Sequence, residues 1–78
     1  MKYIIIKTEG LEVPIIFSEI LNHSTVAHSI GGHNGVISAG YLYLSEDGQL
    51  SAHGYSSTLG INSRSEDVEI IKRSLSYY

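Results

Sequence analysis

The chain opens on a run of apolar residues, Tyr3, Ile4, Ile5 and Ile6, flanked by Lys2 and Lys7. β-Branched and aromatic side chains fit a pleated, half-buried surface, so residues 2–8 are expected to form a strand. Gly10 marks a turn, and Val13, Ile15, Ile16 and Phe17 define a second strand over residues 12–17. Pro14 cannot donate to a sheet ladder, so this strand belongs at an edge, or Pro14 falls at an unpaired position. The two segments are expected to pair as a hairpin.

The pattern then changes period. Ser18 is a candidate N-cap, with Glu19 in the first turn where the helix dipole favours an acid. A helix is expected from there to about Ile30, carrying Ile20, Leu21, Val26, Ala27 and Ile30. Asn22, His23, Ser24 and Thr25 prefer caps and turns, so two short helices joined near Asn22 fit as well as one. Gly31-Gly32 supplies the stop, and His33-Asn34-Gly35 reads as a loop.

Residues 36–45 are the clearest strand, and Glu46-Asp47-Gly48 is a strong turn signal before a returning strand over residues 49–57. Register decides what this hairpin presents, because a slip of one residue turns every side chain of one strand over. A three-residue loop with Gly48 left-handed sets Leu44 opposite Leu50 and Leu42 opposite Ala52, with Gly40 and Gly54 at the far end. That register gives one apolar face. The opposite face then carries Ala39, Tyr41, Tyr43, Ser51, His53 and Tyr55.

The final helix is announced by Ser63 and Glu66 at capping-box spacing. Glu66, Asp67 and Glu69 come early and Lys72 and Arg73 late, matching the dipole. Val68, Ile71, Leu75 and Tyr78 form one stripe for burial. The whole reads as one small α+β domain over residues 1–78. The expected order is ββαββα, in two layers, with a four-stranded, mainly antiparallel sheet and both helices on one face.

Composition narrows the function. With 78 residues the core is near the lower limit for independent stability, which makes self-association a cheap source of stability. Only 17% of residues are charged, and such a surface is poorly protected against association. The net charge of −3 and only five scattered Lys and Arg residues argue against generic nucleic-acid binding, which depends on neutralising phosphates. The absence of cysteine removes disulfides, thiolate metal sites and cysteine nucleophiles. No segment approaches a membrane span, and the N-terminal apolar run is too short for a secretory signal. A cytoplasmic protein is expected.

Candidate chemistry is sparse. His23, His28 and His33 recur every five residues, with His53 beyond. Three imidazoles can hold zinc, but five residues of helix rotate about 140° net, so neighbours diverge. No metal site is therefore assigned. Serines are plentiful, yet no nucleophile elbow occurs, and Asp47 and Asp67 already have a turn and a helix start to explain them. The glycine run 31–35 closes a helix and opens a strand, the reverse of a phosphate cradle. The Tyr41, Tyr43, His53 and Tyr55 face stands out: tyrosine offers broad contact area with a polar tip, although it also favours strands for its own sake.

The stretch Ser57-Thr58-Leu59-Gly60-Ile61-Asn62-Ser63-Arg64-Ser65-Glu66-Asp67 resembles a pattern in small uncharacterised phage and prophage proteins of similar length. They carry a hairpin before it and a helix after it. The resemblance implies a viral or prophage context and carries no activity and no functional residue. The expected function is a small non-enzymatic interaction protein without cofactor, binding a protein partner or a second copy through the tyrosine face. The alternatives are a His-based metal-dependent enzyme and a nucleic-acid-binding module using the sheet.

Overall fold

The computed structural model describes residues 1–31 and 35–75. The first hairpin forms as the pattern demands, from β1 (Lys2–Thr8) and β2 (Leu11–Phe17). They meet through a two-residue turn whose members both have positive φ, Glu9 at 52° and Gly10 at 80°. Such a turn matches the twist of the strands it joins. A short helix α1 (His23–Ser29) follows, then β3 (Val36–Leu44), β4 (Leu50–His53), two-residue strands β5 (Tyr55–Ser56) and β6 (Ile61–Asn62), and α2 (Asp67–Leu75). The fold is α+β, and its main sheet has the order β2-β1-β3-β4 with every pairing antiparallel. No described helix is long and apolar enough to cross a membrane.

The second hairpin takes the register read from the sequence. Leu44 faces Leu50, Leu42 faces Ala52, Tyr43 faces Ser51 and Tyr41 faces His53. Gly48 has φ 86°, and the turn is held by Ser45, whose hydroxyl bonds the Asp47 carboxylate and accepts the Gln49 N–H at 3.0 Å. β2 is an edge strand, one of the two placements Pro14 allowed. A two-residue turn closes on a hydrogen-bonded pair, and such pairs alternate along an antiparallel ladder. Counting from Thr8–Leu11, the Ile5–Pro14 pair is non-bonded, so the missing N–H of Pro14 would have pointed at solvent.

Three expectations need correction. The first helix begins at His23, not at Ser18. The Ser18 hydroxyl accepts the Ile20 N–H at 3.3 Å, and the Leu21 N–H bonds the Ser18 carbonyl at 3.1 Å; the local turn that serine favours wins over the helix. The strand expected over 49–57 breaks at Gly54, whose φ of 88° no sheet strand adopts, and Tyr55 leaves for the small β5–β6 pair.

Most consequentially, the helices do not share a face. Tyr3, Ile5 and Leu42 pack against Ile71 of α2, while Ile4, Val36 and Ala39 pack against Val26 and Ala27 of α1. The result is three layers. β1 explains why: Tyr3, Ile4 and Ile5 are all fully buried, and successive side chains of a strand point to opposite faces. A strand apolar on both sides needs cover on both.

Candidate functional site

The predicted aromatic face exists in part. On the α1 side of the sheet, β3 and β4 present Ala39, Tyr41, Tyr43, Ser51 and His53, and the structure divides them. Ala39 is core, fully buried beneath α1. Tyr41 is half-buried, edge-on to the His23 ring at 5.6 Å, with the Lys2 ammonium 6.0 Å from its ring centre. Its ring also lies against Gly54, where an added Cβ would come within 3.0 Å of it. Tyr43 and His53 lie beyond the reach of α1. They sit on a cross-strand diagonal, a spacing long side chains bridge, and their rings stack at 4.8 Å and 13°. Both are exposed, Tyr43 by 55%. Tyr55 is equally exposed but belongs to β5, in another sheet.

The histidines disperse. His23 is buried with its Nε2 2.9 Å from the Gly40 carbonyl. A carbonyl can only accept, so Nε2 carries the proton and donates. Burial holds this imidazole below its ordinary pKa, and the bond to Gly40 only partly offsets that. The Phe17 ring meets its other side edge-on at 5.5 Å. His28 is exposed on α1, and His33 lies outside the described residues. Among the described residues no three His, Cys, Asp or Glu side chains are grouped to hold a metal ion.

The densest polar cluster sits on the other face and was not anticipated. Asp67 opens α2 and is fully buried. Its carboxylate accepts the Tyr3 hydroxyl at 2.6 Å, the Ser38 hydroxyl at 2.9 Å, and both the backbone N–H and the Nε–H of Arg64 at 2.9 Å. The reach back to the N–H three residues earlier is one half of a capping box, made by Asp67 where the spacing had suggested Glu66. The far end of Arg64 bonds Glu12 of β2 at 2.7 Å. The cluster thus ties the start of α2 to β1, β2 and β3. Burial first, then the Asp67 bond and charge, drive the Tyr3 phenol far above its ordinary pKa. A carboxylate with four donors in place has little capacity left for a substrate, so the arrangement is a clasp. Its members are 64 and 29 residues from Asp67 in the cases of Tyr3 and Ser38, and no local pattern could reveal it.

A shallow groove between β2 and α2, lined by Leu11, Val13, Pro14 and Ile70, lies two strands away from the aromatic pair. Compared with known protein families, curated proteins and solved structures, the chain matches none.

Proposed function

We propose that the chain is a small non-enzymatic interaction protein that receives a protein partner on the aromatic end of the β3–β4 hairpin. The observation that carries this is the stacked, exposed Tyr43–His53 pair. Two rings already held against each other lose little side-chain freedom on binding, and that ordering cost is what usually erodes affinity. Tyrosine adds apolar area with a hydroxyl at its tip, the composition of interface anchors. Ser51, opposite Tyr43 on β4, carries no charge that a partner would have to desolvate.

The test compares the wild-type chain with a Tyr43→Ala/Tyr55→Ala double variant as bait, identifying captured proteins by mass spectrometry. A protein that binds the purified wild type directly and not the folded variant supports the reading. The same proteins bound equally by both would remove the aromatic end from consideration.

A further inference from the structure

The sheet has two edges, and they are not equivalent. β2 is closed to further pairing by Pro14, which sits at an outward-facing position. Proline and charge are the usual means of blunting an edge. β4 has neither, nor a bulge: its sequence is Leu50-Ser51-Ala52-His53 in unbroken register with β3.

The hydrogen-bonding parity of β4 can be read directly. The Ser45 N–H donates to the Gln49 carbonyl at 2.9 Å, so Gln49, Ser51 and His53 turn their peptide groups toward β3. Leu50 and Ala52 turn theirs away from it. Gly54, two residues on, shares the outward direction, and its carbonyl accepts the Ser63 N–H at 2.9 Å. The edge is therefore taken at Gly54, whereas no strand flanks Leu50 and Ala52 among the described residues.

We propose that this edge pairs antiparallel with the same edge of a second copy, about a two-fold axis at Ser51. Leu50 then exchanges both backbone bonds with the partner's Ala52, and Ala52 exchanges both with the partner's Leu50. The two outward donors and two outward acceptors of each copy are all used. A two-fold axis brings side chains near it against their own copies, so any charge there would meet its like. Ser51 is small and neutral, and the chain carries no Asp, Glu, Lys or Arg from Gly48 to Ser63.

The side chains agree on both faces. On the α2 side an apolar row runs Leu44, Leu50, the partner's Ala52, the partner's Leu42, extending from a Leu44 that is 65% exposed. On the α1 side the Tyr43–His53 stacks of both copies face the same way across one eight-stranded sheet. This names one partner within the interaction reading and leaves the aromatic end free for another protein.

The experiment is sedimentation velocity on the full chain over a concentration series reaching about 1 mM, where even weak interfaces are populated. Three variants accompany it. Ser51→Lys places two like charges at the axis. Ala52→Pro gives β4 the device that closes β2, without removing a bond to β3. Tyr43→Ala leaves the edge untouched. Expected is a doubling of mass for the wild type and for Tyr43→Ala, and the mass of one chain for Ser51→Lys and Ala52→Pro, with the wild-type circular dichroism spectrum. If Ala52→Pro does not fold, Ser51→Lys alone decides. A wild type that stays a single chain throughout overturns the proposal, as does a dimer that survives Ser51→Lys. Dimers separated by Tyr43→Ala but not by Ser51→Lys would overturn edge pairing while leaving the aromatic surface as the contact.

Discussion

The two faces of the sheet are held by different physics. Under α2, Tyr3, Ile5, Leu42 and Ile71 surround a buried carboxylate whose bonds fix the helix start in direction as well as in place. Under α1, Ile4, Val26, Ala27, Val36 and Ala39 make an apolar layer whose one buried polar tie to the sheet, among the described residues, runs from His23 to Gly40. Apolar packing is non-directional and tolerates small changes of shape. A buried polar cluster does not, because each unmatched group carries its full desolvation cost. The α2 face should therefore be brittle and the α1 face forgiving.

Substitutions that barely change size test that contrast most severely. Asp67→Asn keeps the volume but turns an NH2 toward donors and leaves Arg64 without its buried counter-charge. Leaving a buried donor unmatched costs about 1–3 kcal/mol, while Arg64, 27% exposed, keeps Glu12. Ile4→Val removes one methyl from the centre of the opposite face and should cost about 0.5–1.5 kcal/mol. Urea unfolding followed by circular dichroism gives both values. Equal costs would mean that the two faces are held alike and that the clasp is incidental.

pH separates the faces without any change of volume. The raised Tyr3 phenol means that the unfolded chain ionises first at alkaline pH. The stability it contributes is complete below about 10, the ordinary phenol value, and is lost as pH rises through the folded one. His23 is lowered by burial, so the unfolded chain protonates first on acidification. Its contribution is complete above about 6.5 and is lost as pH falls through the folded value. Melting temperature against pH should thus decline at both ends. Tyr3→Phe should flatten the alkaline decline alone, and His23→Gln the onset of the acid one. An acid onset unchanged in His23→Gln would take that histidine out of the account of the α1 face.

What the sequence disclosed follows the range of the interactions involved. The β3–β4 register was legible because Leu42, Leu44, Leu50 and Ala52 make a clean apolar face in one alignment only. Pro14 marked its edge for an equally local reason. The two-sided burial of β1 was also written in the chain, in the unalternating run Tyr3 to Ile6, whose meaning is cover on both faces and not simply a strand. The turn at Tyr55 depends on the backbone of Gly54 and on packing against Tyr41, which no periodicity encodes. Asp67 looked like a helix-dipole acid because its partners Tyr3 and Ser38 come from strands far away in sequence. The predicted site divided for the same reason. Tyr41 was placed on the right face, but how far α1 covers that face is a tertiary fact.

A smaller effect should act on both faces together. Glu9 sits at φ 52° in the turn that starts β2, a conformation that costs most side chains about 1–2 kcal/mol and asparagine less. Glu9→Asn makes the favoured Asn-Gly pair of such turns and should raise stability by about 0.5–1 kcal/mol. Because β1 serves both layers, the gain should be the same in the Asp67→Asn and Ile4→Val backgrounds, as expected for sites that share no partner. A gain confined to one background would show that the hairpin is coupled to one face.

The smallest expected effect concerns the end of the α1 face that neither described helix covers. Leu42 and Tyr43 are neighbours on β3 that point to opposite sides; Leu42 is 2% exposed and Tyr43 55%. Leu42→Ala should cost about 2–5 kcal/mol. Tyr43→Ala should stay within about 0.5 kcal/mol of wild type, as surface substitutions do, with at most a small term for the lost stack on His53. That near-neutrality is what a ring kept for contact rather than for folding requires. It also makes Tyr43→Ala a clean variant for binding experiments, because lost binding could not be blamed on lost structure. A cost above about 1 kcal/mol would place Tyr43 among the groups that hold the hairpin together, and its exposure would then be the residue of strand pairing, not a surface left open for a partner.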